Sequence, residues 1–398
     1  KRIHENVETL AQLETRNVGK PIGDARWEAD AGAKVFDYYA GAIGHLCGQT
    51  IPVARGGFDF TLRQPMGVIA AITPWNFPFL IACWKVAPAL AAGNSVVLKP
   101  ASLTPLTALM LGQLAQEAGL PDGVLQVLPG SGSEAGKALA THPLVRKIGF
   151  TGSTEVGATI MKLAADDIKR VSLELGGKSP NIVFADANWE RAADESPMSV
   201  FGNTGQDCCA RSRMFIEQPV FDAFVDRFTA ATNALKIGDP TDEATQVGPM
   251  VSAAQRELSE SYIAGVRDSG REIRTGGDRP SGGGFYLNPA VITGVKTGDR
   301  AWREEIFGPV VCLRPFTDET EMLREVNDTN FGLSGSVWSN DLSRALRVAR
   351  RVESGVISIN SHSSVHTEAP FGGFKRSGLG RDLGMSAMEA CTEVKNIY

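Results

Sequence analysis

A chain of 398 residues with 43% hydrophobic and 21% charged side chains can bury two or three cores, which excludes a disordered or fibrous protein. Its formal net charge of -5 offers no general attraction to nucleic acid or to an anionic membrane, so a small-molecule substrate is the expected partner. Six scattered cysteines without CxxC spacing argue against a disulfide framework or structural zinc and fit a reducing, cytoplasmic compartment.

The opening KRIHENVETLAQLETR is charged and helical rather than a signal peptide. Apolar residues at Val7, Leu10 and Leu13, then at Ala33, Phe36, Tyr39 and Ala40, recur three and four apart and predict helices over about the first forty residues. Between Leu46 and Gly67 the period falls to two, with Gly56-Gly57 as the turn of a hairpin. The most apolar stretch, Phe79 to Leu98, is broken by Lys85, Pro88, Gly93 and Asn94, so no membrane span is expected.

Short apolar segments VIAAIT, SVVLKP, VLQVLP and KIGFTG then alternate with helices starting near Pro78, Pro105, Glu134 and Val156. That alternation predicts a parallel sheet covered on both faces, the doubly wound nucleotide-binding arrangement. A second series, SPNIVF, SRMFIE, VVCLRPF, LSGSVWS and GVISIN, predicts another α/β domain, with the boundary near Gly176-Gly177. The expected fold class is α/β, with two doubly wound α/β domains, residues 1–45 with 65–176 and residues 177–391. A small β element of residues 46–64 and 392–398 completes it.

The stretch FGNTGQDCCARSR, Phe201 to Arg213, places two adjacent cysteines in a polar, loop-forming setting rather than in an apolar run. Such a thiol is a candidate nucleophile, active as its thiolate. Four further loops, TPWNFP, KPAS, FTGSTEVG and LELGGKSP, stand at predicted strand ends, where open α/β sheets bind ligands. Lys99 is either a solvated strand-end charge or a cation for a ribose hydroxyl or phosphate. Gly152 to Gly157 opens a helix whose bare N–H groups suit a pyrophosphate, although GxGxxG is absent. Glu174 is either a paired carboxylate or, with raised proton affinity, a general base. Asn76 is either a turn residue or an amide donor to an oxyanion.

PWNFP, KPAS, FTGSTEVG, LELGGKSP, GQDCC, EEIFGP (Glu304 to Pro309) and PFGGFKRSGLGRDLG (Pro370 to Gly384) stand in the order and at about the spacing of one family. From about Gly67 onward the chain resembles the NAD(P)-dependent aldehyde dehydrogenase superfamily, including betaine-aldehyde and aminoaldehyde dehydrogenase-like members. The resemblance implies that the first domain is a Rossmann-like cofactor domain and the second the catalytic domain. It assigns Cys208 as the nucleophile that adds to the aldehyde, and the Asn76 amide with the Cys208 backbone N–H as the oxyanion donors. Glu174 is then the base that activates water against the thioester left after hydride transfer. Lys99 counts among both catalytic and cofactor positions. The other residues implied to contact NAD or NADP are Ile72, Thr73, Trp75, Ser102, Gly132, Gly152, Ser153, Leu175, Glu305 and Phe307.

Three departures from the family pattern carry expectations. Ser102 stands where NAD-preferring relatives have a glutamate that repels a 2′-phosphate, so NADP is tolerated or preferred. Asp382 replaces a glutamate thought to relay protons. The start lacks a longer N-terminal segment of relatives, which implies a truncated chain. For the substrate, Asp207 beside the nucleophile favours a cationic amino- or trimethylammonio-aldehyde, with Phe77, Trp84 and Trp75 as cation–π partners, whereas Val365 stands where an aromatic cage would want tryptophan. Asp207 as a mere hydrogen-bonded loop residue is the competing account, and a semialdehyde or a general aliphatic or aromatic aldehyde the competing substrate.

No metal site is expected from His362 and His366, because their segment is not helical. A Cys–His hydrolase would need no dinucleotide, a CoA-acylating enzyme fits Glu174 poorly, and a non-catalytic relative would not need Cys208, Glu174 and Asn76 together. The hairpin and the tail TEVKNIY match the family's oligomerisation elements, so a homodimer or homotetramer is expected.

Overall fold

The computed structural model describes residues 1–398 and contains three sheets. The first has six strands in the order Gly378–Leu379, Arg170–Glu174, Val145–Thr151, Val68–Ile72, Ser95–Lys99 and Leu125–Val127. All its pairings are parallel except that of Gly378–Leu379. The chain runs outward from Val68–Ile72 through Ser95–Lys99 to Leu125–Val127, then crosses back to Val145–Thr151 on the other side. The reversal lies between Val68–Ile72 and Val145–Thr151, so TPWN and GSTE flank the crevice where such sheets bind ligands.

The N-terminal helices Val7–Val18 and Ile22–Ala42 cover this sheet's helices Pro78–Ala91 and Leu106–Glu117. The approach is close: a Cβ on Gly32 would stand 2.6 Å from the Phe79 ring, so glycine sets the spacing between two helices. Pro78–Ala91 is buried nearly all round, which explains its apolar sequence without any membrane. No helix is long and apolar enough to cross one.

The second sheet has seven strands in the order Glu272–Thr275, Ala290–Thr293, Val310–Phe316, Arg213–Glu217, Pro180–Val183, Ser334–Trp338 and Val356–Ile359. Only its first pair is antiparallel. The third sheet joins Thr50–Ile51, Asp59–Pro65 and the tail Thr392–Ile397, all antiparallel. The tail thus pairs with its own hairpin on one side and leaves its other edge open.

Two expectations need correction. Residues 177–391 do not stay with the second sheet: Gly378–Leu379 pairs with Arg170–Glu174 of the first. Phe371, Leu383, Ala387, Met388 and Cys391 then enter the core beneath Pro78–Ala91. A two-residue strand carries no periodicity, so only the long-range pairing reveals this return. The helix Ala253–Asp268 and the strands Arg170–Glu174, Glu272–Thr275 and Ala290–Thr293 also fall outside the expected series. The helix buries just the narrow stripe Ser259, Tyr262, Ile263 and Val266, too sparse to stand out in AAQRELSESYIAGVRD.

Candidate active site

The helix Trp189–Phe201 delivers the double-cysteine loop through three consecutive left-handed residues, Asn203, Thr204 and Gly205, with φ of 49°, 58° and 72°. Two non-glycine residues in that region are strained and persist only where neighbours hold them. Here Asn203 Nδ2 donates to the backbone oxygens of Asn76 (2.9 Å) and Gln206 (3.2 Å). Gln206 Nε2 donates back to Asn203 O at 3.0 Å, and the Val251 N–H donates to Gln206 Oε1 at 3.0 Å. Asn76 Nδ2 closes the lattice with a 2.9 Å bond to Gln206 O, which uses one of its two N–H groups, and Asn76 shares a cavity with Cys208.

The position of Asn76 also depends on the helix that follows it. Phe77, the residue before Pro78–Ala91, has no side chain able to cap it. Instead Glu28, from the helix Ile22–Ala42, accepts the Leu80 N–H at 3.1 Å and pairs with buried Lys20. The Lys20 ammonium stands 3.9 Å over the Phe77 ring. Removing one partner of a buried pair of this kind costs about 3–5 kcal/mol.

Cys208 is half-buried, and its thiol is pushed well above the ordinary range by hydrogen bonding to Cys209, by burial and by nearby negative charge. Asp207 Oδ1 accepts the Cys209 N–H at 2.8 Å, and burial raises its carboxyl. Glu174 ends its strand 3% exposed, with neither carboxylate oxygen hydrogen-bonded. Burial, reinforced by the charge of Asp382, holds the Glu174 carboxyl well above the usual range. Gly372 makes room for it, since a Cβ there would lie 2.7 Å from Glu174 Oε1. Asp382 is itself engaged in a buried 2.8 Å ion pair with Lys85.

A cavity of about 1010 Å³ opens beyond the strand ends, and Cys208 and Asn76 lie in its wall. All eleven residues expected to contact the cofactor line it too: Ile72, Thr73, Trp75, Lys99, Ser102, Gly132, Gly152, Ser153, Leu175, Glu305 and Phe307. The Trp75 and Phe307 rings meet edge to face at 5.2 Å, and Phe307 takes a φ of 56°. Glu305 accepts the Gly177 N–H at 2.8 Å and is pushed up to about 7 by burial. Lys99 Nζ donates to Pro100 O at 2.8 Å, with its ammonium lowered by burial, and Ser102 Oγ donates to Gly130 O at 3.0 Å.

A dinucleotide fits these residues chemically. Ser153 caps the helix Thr154–Ala165, whose first-turn N–H groups border the cavity, and Gly152 approaches where a Cβ would strike the Phe150 ring at 2.5 Å. Lys99 supplies a cation and Glu305 a hydroxyl acceptor. Sequence reasoning missed Lys137 and Gln255 in this wall; Gln255 reaches it by donating to Phe307 O at 3.0 Å. It also missed Asn203, Gln206, Lys20 and Glu28, which reach Asn76, Leu80 and Phe77 from far away in the chain.

The residues expected to meet the substrate are placed differently. Phe77, Trp84 and Val365 pack in an apolar cluster with Cys208 and Cys209, apart from the cofactor cavity wall. One face of Phe77 is covered by Lys20, and Trp84 stands edge-on to Phe371 at 5.3 Å. His362 bonds to Ser196 and Ser336, and His366 to Ser363; neither is hydrogen-bonded to a cysteine.

The aldehyde dehydrogenase family model matches residues 1–397. Over 402 residues, covering all of this chain and 80% of the relative, it is 43% identical to aminoaldehyde dehydrogenase 2, peroxisomal, from Pisum sativum. With the same coverage it is 44% identical to betaine aldehyde dehydrogenase 1 from Oryza sativa subsp. japonica. An NAD-dependent aldehyde dehydrogenase from Sinorhizobium meliloti superposes with a TM-score of 0.98 at 42% identity, covering 99% of this chain and 79% of the other. Betaine aldehyde dehydrogenase from Staphylococcus aureus in complex with NAD+ superposes at 0.97 and 38% identity, with equal coverage.

Proposed function

This chain belongs to the aldehyde dehydrogenase family, NAD(P)-dependent oxidoreductases of aldehydes, and on that premise we propose that Cys208 is its nucleophile, Asn76 its oxyanion donor and Glu174 its hydrolytic base. The observation that carries this reading is that Cys208 and Asn76 share one cavity with every residue expected to hold NAD(P).

The Cys208 thiolate adds to the aldehyde carbon, forming a C–S bond while the carbonyl π electrons move to oxygen. The free Asn76 N–H and the Cys208 backbone N–H stabilise that alkoxide. Nicotinamide, when bound, supplies the acceptor for the hydride released as the C=O bond re-forms. The thioester left on Cys208 is hydrolysed when Glu174 takes a proton from water. The resulting hydroxide attacks the acyl carbon, the C–S bond breaks and the thiolate returns with a carboxylate as product. Raised proton affinity suits Glu174 to this step, and no hydrogen bond has to be broken to free its oxygens.

The substrate is a cationic amino- or trimethylammonio-aldehyde. Asp207 beside the nucleophile supports this, as do the aminoaldehyde and betaine aldehyde dehydrogenases among the relatives. The six cysteines are unpaired, which supports a reducing cytoplasmic setting. The open edge of Thr392–Ile397, with Val394 and Tyr398 exposed, supports a homodimer or homotetramer built on the third sheet.

Steady-state assays with NAD and NADP across cationic, aromatic and aliphatic aldehydes, run beside Cys208→Ala, test the proposal. The expected result is cofactor-dependent carboxylate formation that Cys208→Ala lowers by roughly 10⁴-fold or more with cofactor binding unchanged. Turnover without NAD(P) would instead assign a Cys–His hydrolase, and acyl-CoA formation an acylating enzyme.

A further inference from the structure

Two residues beyond Cys209 stands a second charged group that neither the motifs nor the mechanism uses. Arg211 is 1% exposed, and its guanidinium donates to six acceptors, all of them neutral oxygens. It bonds Cys209 O in its own loop, then Ser334 Oγ, Gly335 O (3.3 Å) and Ser336 Oγ (2.9 Å) on the strand Ser334–Trp338. It also bonds His362 O (3.4 Å) and Ser364 Oγ in the loop after Val356–Ile359. That loop carries Val365, which packs on the same apolar cluster as Cys208 and Phe77.

A buried arginine without a carboxylate partner is expensive, and hydrogen bonds to neutral oxygens offset only part of the cost. Bonded to Cys209 O, one residue from Cys208, the guanidinium interacts electrostatically with Cys209, Asp207 and Cys208. Around Cys208 the charges are otherwise acidic: Asp207, Cys209 and Glu305 all favour its protonated form. His362, packed on Trp338 and bonded to Ser196 and Ser336, is pushed down to about 3 by burial and by Arg211, so it stays neutral across the working range. Lys20 also favours the ionised form of Asp207.

We infer that Arg211 is a positioning residue of the aldehyde half of the site, which locks the nucleophile loop to the His362–Val365 wall and supplies the buried positive charge that favours the Cys208 thiolate. The inference rests on Cys208 being the nucleophile and adds two separable roles to it. The guanidinium fork serves the first role, because one side chain must reach three segments at once; an ammonium cannot span six acceptors. The charge alone serves the second.

The test is the pH profile of Cys208 alkylation by iodoacetamide, read as labelled peptide by mass spectrometry on the full chain, together with KM for aldehyde and for NAD. In Arg211→Gln the alkylation midpoint is expected to rise by about one to two pH units, the scale of a unit charge roughly 6–12 Å away at an effective dielectric of about 20. Arg211→Lys is expected to keep the midpoint while raising aldehyde KM roughly five- to tenfold, the scale of one or two lost hydrogen bonds, with NAD KM unchanged. Ser364→Ala, a mild change in the wall, raises aldehyde KM by a smaller factor and leaves the midpoint alone. The inference is overturned if the midpoint is unmoved in Arg211→Gln, or if aldehyde and NAD KM rise together in Arg211→Lys and Ser364→Ala, which would mark general loosening. Should Arg211→Gln not fold, the other two variants decide. Cys208→Ala separates the layers: retained turnover there removes the nucleophile assignment itself.

Discussion

The two sides of Cys208 are built on different principles. On the cofactor side the wall is made of strand-end loops, glycines and a helix N-terminus, so the backbone presents most of the chemistry. On the side proposed for the aldehyde, Cys208 meets an apolar cluster of side chains from distant segments, among them Phe77, Trp84 and Val365, each already engaged with another residue or the core. Backbone sites follow from local motifs, whereas side-chain walls follow from packing. That is why the proposed cofactor contacts fall in loops of a few residues and the proposed substrate contacts are scattered over the chain.

Three substitutions would break or sharpen that contrast. Glu174→Gln is expected to give the largest effect, a fall in kcat of roughly 10²–10³-fold at the hydrolytic step with a burst of NADH retained. The pH sign follows from the raised carboxyl. Below its elevated pKa Glu174 holds a proton and cannot act as base, so hydrolysis rises with pH through the range where an ordinary carboxylate is already ionised. The Gln variant should lose that rise; a kcat–pH profile that survives the substitution would remove Glu174 from the step.

On the cofactor side, Ser102→Glu places a carboxylate beside Lys99 in the cavity wall. Repulsion of a 2′-phosphate should lower the NADP-to-NAD ratio of kcat/KM by about 10- to 100-fold, a differential electrostatic effect of some 1–3 kcal/mol. A ratio that does not move would mean that Ser102 lies away from the adenosine ribose.

The smallest effect is expected on the aldehyde side. Asp207→Asn preserves an oxygen able to accept the Cys209 N–H, so the loop should survive while the charge is lost. The cationic-to-neutral substrate ratio of kcat/KM should fall about fivefold, a charge–charge increment of about 1 kcal/mol. An unchanged ratio across aldehydes of equal length would leave Asp207 as a local hydrogen-bond acceptor and nothing more.

Legibility follows the same divide. TPWNFP, KPAS and FTGSTEVG could be placed at strand ends because each is short, local and follows an apolar run of strand length. Once those strands lie in one parallel sheet, their C-terminal loops must converge, and Ile72, Ser102 and Ser153 share a cavity as a consequence. Glu28 shows the opposite case. In WEADAG it reads as one polar position of a helix, and nothing nearby announces that it accepts the Leu80 N–H at 3.1 Å and so sets the start of the helix behind Asn76.

The sequence by itself determined the alternation of strands and helices and the strand-end loops that carry the candidate thiol and amide. Those features depend on backbone preferences and periodicities a few residues long. Only the tertiary structure decided that Gly378–Leu379 returns to the first sheet, that Asp207 spends an oxygen on Cys209, that Lys20 covers Phe77, and that Arg211 is buried among neutral oxygens. Each of these depends on which groups are left to satisfy one another after water has been expelled, and the partners of a buried polar group are set by the fold's long-range geometry rather than by its neighbours in the chain.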